Sequence, residues 1–165
     1  MEAIGSLESD KGALLLTNMG AVQVRRGDAV TALATFEEAT RIRCLTATLH
    51  TPDGAFLLDN IAEAEAQFPD QWEDALAHFI EARGIRDSLG TQFSADGALS
   101  MAWRGKLLQR RSDRIEEALG SFQEAYKIRQ ALGTLDTPEG IELSQDLANC
   151  REACAKCAGP SLVSL

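Results

Sequence analysis

Small and apolar residues recur along this chain at helical spacing, and they do so three times. The stripes are Ala32-Leu33…Phe36…Ala39…Ile42-Arg43, Ala75-Leu76…Phe79…Ala82…Ile85-Arg86 and Ala118-Leu119…Phe122…Ala125…Ile128-Arg129. The spacing i, i+4, i+7, i+10 draws one face of an α-helix. Phe36, Phe79 and Phe122 are 43 residues apart, so each marks the same place in a repeated unit.

Four turns keep the same register: Ser9-Asp10-Lys11-Gly12, Thr51-Pro52-Asp53-Gly54, Ser94-Ala95-Asp96-Gly97 and Thr137-Pro138-Glu139-Gly140, spaced by 42, 43 and 43 residues. Ser or Thr at the head of each can accept from the free N–H groups of a helix start. The acidic residue that follows suits the positive end of the helix dipole, and Pro52 and Pro138 suit the first helical position. Asp70 with Glu73, and Asp113 with Glu116, predict capping boxes for the second helices, and Gly27-Asp28 marks that turn in the first unit. The pattern predicts seven helices near 10–26, 28–48, 52–67, 70–90, 95–110, 113–132 and 138–157, with each phenylalanine buried between the helices of its own pair.

Each unit resembles a tetratricopeptide repeat (TPR), which has a small residue midway along its first helix and an A…F…A stripe on its second. The small residues are Gly20, Ala62, Gly105 and Ala148, preceded by Met19, Ile61, Arg104 and Leu147. Small residues there let paired helices approach closely, with the phenylalanine filling the next gap. The resemblance spans roughly residues 5–157. The 42–43-residue period, with Asn60-Ile61-Ala62, resembles the longer repeats of kinesin light chains. Arg104 departs from the apolar pattern.

The resemblance implies an all-α fold: a right-handed α-solenoid of three helix pairs (about 9–50, 51–93 and 94–136) closed by a capping helix at 137–157. Together they form one domain over 1–158, followed by a flexible tail at 159–165. Residues 5–12 match 133–140 almost position by position, so the chain opens on a link of the kind that follows a second helix.

The resemblance also implies that first helices line a concave face that holds an extended segment of a partner protein. One stacked row is Asn18, Asn60, Trp103 and Asp146. Its neighbours are Thr17, Asp59, Ala102, Gln145 and Ala21, Glu63, Lys106, Asn149. Amides there can donate to and accept from a peptide backbone, Trp103 offers an aromatic anchor, and Lys106 offers an ammonium to a carboxylate. The basic clamp of the family's chaperone-binding members is not reproduced. Thr17 and Ala21 stand where Lys and Asn are needed, and Leu99 and Trp103 where Lys and Arg are needed. Only Asn60 matches, so chaperone tails are not expected to bind.

Composition narrows the function further. A formal net charge of −9 repels nucleic-acid backbones and anionic membranes. No apolar run is long enough to cross a bilayer, and Met1–Gly5 lacks the features of a signal or transit peptide. Of the four cysteines, Cys150, Cys154 and Cys157 crowd one segment, unlike a secreted disulfide framework, so a reducing intracellular compartment is expected. At i, i+4, i+7 these three share a helix face. Their spacing resembles the cluster-binding triplet of radical-SAM enzymes, although only eight residues follow Cys157. A structural metal is the lesser alternative to thiols lining the inner face of the last helix. His50 falls in a link and His78 on a helix, both read as solvent-exposed surface. Paired glutamates such as Glu37-Glu38 have surface spacing, and no phosphate-binding loop is present. No catalytic residue and no cofactor is expected. The leading expectation is a non-catalytic scaffold. The alternative is a peripheral structural subunit or assembly factor docked on a large assembly, such as an organellar membrane-associated complex, through patches around Trp72 and the N-terminus.

Overall fold

A computed structural model describes residues 8–157. The expectations placed on Met1–Gly5, on the Gly5-Ser6-Leu7 part of the opening link and on the tail at 159–165 lie outside them. Among the described residues the chain is all-helical. It has seven α-helices, α1 (Asp10–Arg25), α2 (Ala29–Leu45), α3 (Pro52–Glu65), α4 (Trp72–Leu89), α5 (Ala95–Leu108), α6 (Ile115–Leu132) and α7 (Pro138–Cys157), with single 3₁₀ turns at Pro69–Gln71 and Ser112–Arg114.

All four first-type helices begin as their caps predict. The hydroxyls of Ser9, Thr51, Ser94 and Thr137 accept from the N–H of Gly12, Gly54, Gly97 and Gly140 at 3.3, 3.2, 3.1 and 3.2 Å. Asp28 caps α2 in the same way, accepting from the Thr31 N–H at 3.1 Å. The capping boxes expected at Asp70 and Asp113 do not form. Each lies inside a 3₁₀ turn, and the helix begins two residues later at Trp72 or Ile115 with no side-chain cap. Glu73 and Asp74, or Glu116 and Glu117, instead place their charge in the first turn, near the positive end of the dipole.

The second helices end differently. α4 and α6 stop at Gly90 and Gly133, both at φ +68, where a Cβ would be strained. α2 has no such glycine and ends at Leu45, earlier than expected. Thr46 folds its hydroxyl back to the Ile42 carbonyl at 3.1 Å, and Ala47 takes φ +55.

The helices fall into two compact units, one ending at Gln92 and the other beginning at Phe93. In the first, α1 pairs with α2 and α3 with α4, and α3 also lies against α2 and α1. Its core joins Val24, Ala29, Ala32, Phe36 and Ala39 to Leu57 and Ala64, with a second cluster of Ala55, Leu58, Ala82 and Ile85. In the second, α5 pairs with α6, and α7 lies on α6. Phe36, Phe79 and Phe122 are at most 1% exposed. A Cβ built on Gly20 would stand 2.2 Å from the Phe36 ring, and one on Gly105 would stand 2.7 Å from the Phe122 ring. The small residue and the aromatic ring therefore occupy one volume between the helices of a pair, as the spacing predicts. Trp72, expected on an exposed patch, is buried at the start of α4.

Candidate functional site

The ten partner-binding positions do not share one fate. On α1, Asn18 is exposed, Ala21 half-buried and Thr17 fully buried, with its hydroxyl donating to the Ala13 carbonyl at 2.8 Å. On α3, Glu63 is half-buried while Asp59 and Asn60 are both 1% exposed. The Asn60 amide donates to the Phe56 carbonyl at 2.7 Å, one turn back. The Arg86 guanidinium donates to the Asp59 carboxylate at 2.5 Å, and both side chains are withdrawn from water. Thr17, Asp59 and Asn60 are thus interior groups of their hairpins rather than surface ones. A period-based alignment finds a helix face but not its depth. At these positions the face turns into the packing between helices.

The second unit brings four of the aligned residues together. Ala102, Trp103 and Lys106 of α5 and Asp146 of α7 line a cavity of about 30 Å³, completed by Leu99, Arg129, Glu139, Glu142 and Leu143. That volume suits a water molecule rather than a ligand. Asn149 is exposed on α7. The ammonium of Lys106 is not free for a ligand. It donates to the Glu142 carboxylate, and Asp146 lies 3.4 Å away. Burial works against the charged amine, yet the hydrogen bond to Glu142 and the two carboxylates outweigh it and hold its pKa above that of an ordinary lysine. Trp103 is half-buried beside this pair, its indole partly open to solvent. Three carboxylates and two cations line the same cavity as this indole. Glu142 was absent from the sequence alignment of the site. Its position one turn before Asp146 on the same helix was the available signal.

Arg104, which departs from the apolar pattern, reaches α6 instead. It donates to the Ser121 hydroxyl at 2.7 Å and lies 3.8 Å from Glu117. His78 is not plain surface. It is half-buried, with Nδ1 2.7 Å from the Glu65 carboxylate across the α3–α4 pair, while His50 is exposed. The hydrogen bond to Glu65 raises the His78 pKa against the opposing effect of burial, with Glu81 and Asp74 adding to the rise.

The cysteine triplet does not line the inner face of α7 as a set. Cys150 is buried, with its thiol donating to the Ile115 carbonyl at 3.7 Å and its pKa raised by burial. Cys154 is half-buried and Cys157 exposed, one and two turns beyond the point where Cys150 meets Ile115, the first residue of α6. Among the described residues no group of His, Cys, Asp or Glu is placed to hold a metal ion, and no helix is long and apolar enough to cross a membrane. Compared with protein-family models and with curated proteins, the chain matches none.

Proposed function

We infer that this chain is a TPR-like α-solenoid module, a non-catalytic scaffold that holds an extended segment of a partner protein on its first helices. In this reading the repeat continues as one right-handed array with those helices along its concave face. The observation that carries it is the partly open Trp103 indole beside the Lys106–Glu142–Asp146 cluster, on the face that the repeat register assigns to a ligand. A rigid aromatic ring beside oriented charges suits a short peptide of mixed charge, because the ring offers apolar contact while the ion pairs set polarity. Exposed Asn149, one turn after Asp146 on α7, adds an amide beside this cluster. The chaperone-tail clamp is absent from this reading, since Thr17 is buried and Trp103 stands where a basic residue is needed.

The test is selection of a random-peptide display library on the full chain. The expected result is a consensus with one large apolar residue flanked by both charge signs. Titration calorimetry should show Trp103→Ala losing over about 2 kcal/mol of binding energy and Asn149→Ala less. A selection that yields no consensus, or peptides that bind Trp103→Ala as they bind the parent, sinks the reading.

A further inference from the structure

Aligning α1 with α3 exposes a second surface. Leu57, Asn60 and Ala64 of α3 are at most 1% exposed, and Ile61 is packed against the cluster formed by Ala32, Phe36 and Ala39. At the same register on α1, Leu15 is 52%, Met19 47% and Val22 38% exposed, and Asn18 is exposed too. These residues lie at i, i+4 and i+7, one continuous stripe. Beside it runs an open groove of about 400 Å³ lined by Asn18, Met19, Val22, Gln23 and Arg26. So α1 and α3 carry the same apolar face, but among the described residues α3 has a cover and α1 does not. The cover on α3 is known: it is the α1–α2 pair, with the Ala–Phe–Ala stripe of α2 in the shared core.

One difference between the two faces says what the missing cover looks like. Where α3 is followed by Gln67 and Phe68, α1 ends in Arg25 and Arg26, both exposed. Phe68 packs against the cluster that holds Val24 and Ala29, at the start of α2. Arg26 therefore stands where the N-terminal turn of a covering helix would lie. Cations there call for carboxylates in that turn, which also suit the dipole of the incoming helix. Within this chain α4 has such a turn, with Glu73 and Asp74 ahead of Ala75, Phe79 and Ala82.

We propose that the Leu15–Met19–Val22 face of α1 docks an amphipathic helix of a partner protein, one with an acidic first turn followed by a small–aromatic–small stripe. The proposal does not depend on the Trp103 cluster.

The probe is a helix-stapled, fluorescent peptide with the sequence of residues 72–89, titrated against the full chain by anisotropy. The expected result is saturable binding that Met19→Glu or Val22→Glu weakens by at least about tenfold, with Trp103→Ala neutral. Both substitutions fall on exposed positions, and circular dichroism checks that the variants stay helical. Arg26→Glu should weaken the native probe and restore binding of one carrying Lys in place of both first-turn acids. No binding, binding indifferent to Met19 and Val22, or a charge swap that fails to restore affinity overturns the proposal. So does a dimer in sedimentation that Met19→Glu dissolves, because the occupant would then be a second copy.

Discussion

The second hairpin (α3–α4) and the third (α5–α6) share an apolar skeleton but fill its polar slots differently. Both bury an Ala–Phe–Ala–Ile stripe and an arginine after it. In the second, Arg86 meets Asp59 inside the pair. In the third, Ala102 takes the place of Asp59, and Arg129 donates to the Thr137 hydroxyl at the start of α7, at 3.3 Å. In the second, Ala62 fills the slot opposite the phenylalanine and His78 bonds to Glu65. In the third, Gly105 leaves that slot open to the Phe122 ring, and Ser121, in the register of His78, takes the Arg104 guanidinium. Backbone geometry follows the apolar stripe alone. The polar positions around it are free to change partners, so the hairpins can differ in surface and sensitivity while keeping one shape.

The largest effects test what the hairpins share. Phe79→Ala and Phe122→Ala should each cost about 3–5 kcal/mol, because each empties a slot that no neighbour can refill. Urea unfolding of the two variants gives the comparison directly. Nearly equal losses support a common skeleton, and an unchanged transition for either refutes the register.

Next comes the buried ion pair. Asp59→Ala leaves the Arg86 guanidinium, 4% exposed, without its carboxylate, and should cost about 3–5 kcal/mol. Adding Arg86→Met should recover most of that loss, since a buried pair can often be replaced by apolar side chains of similar volume. If Asp59→Ala is silent in the same urea assay, the pair contributes nothing to the second hairpin, and the contrast with the third loses its basis.

A smaller effect separates the aromatic slots. Gly105→Ala puts a methyl 2.7 Å from the Phe122 ring and should cost about 1–3 kcal/mol, although alanine is the better helix former. The reverse change, Ala62→Gly, should cost about 1 kcal/mol through backbone freedom. A stabilised Gly105→Ala would mean that α5 and α6 can part to admit it.

These contrasts explain what was legible in the sequence. Helix number, the four caps and the buried phenylalanines all follow from side chains acting within a turn or at a fixed spacing, which a linear pattern records. The fates of Asp59, Asn60 and Lys106 depend on what lies across the gap. Asp59 looked like surface until Arg86, 27 residues away, supplied its partner, and Lys106 looked free until Glu142 did. The 3₁₀ turns before α4 and α6 were hidden because Asp–x–x–Glu fits a capping box and a tighter turn equally well. The open stripe on α1 reads like the covered one on α3, because apolar spacing cannot say whether a cover is present.

The smallest expected effect is a pH dependence belonging to the second hairpin alone. His78 has no counterpart in the third, where Ser121 sits at that position. Its hydrogen bond to Glu65 raises its pKa above the ordinary histidine value near 6.5. A base held more tightly in the folded state adds stability while it is protonated in both states. That contribution is therefore full below pH ~6.5 and is lost as pH rises through the folded-state value. With the ring about 30% exposed, water screens the pair and the gain should stay under about 1 kcal/mol. Carboxylates and the Cys150 thiol also titrate, so the informative quantity is the difference between parent and Glu65→Gln. Melting temperatures at pH 5.5 and 8 should show the parent's advantage at the lower pH and its disappearance at the higher one. An advantage that grows with pH would reverse the sign and remove His78 from the account, whereas a constant one would mean that Glu65 acts through packing alone.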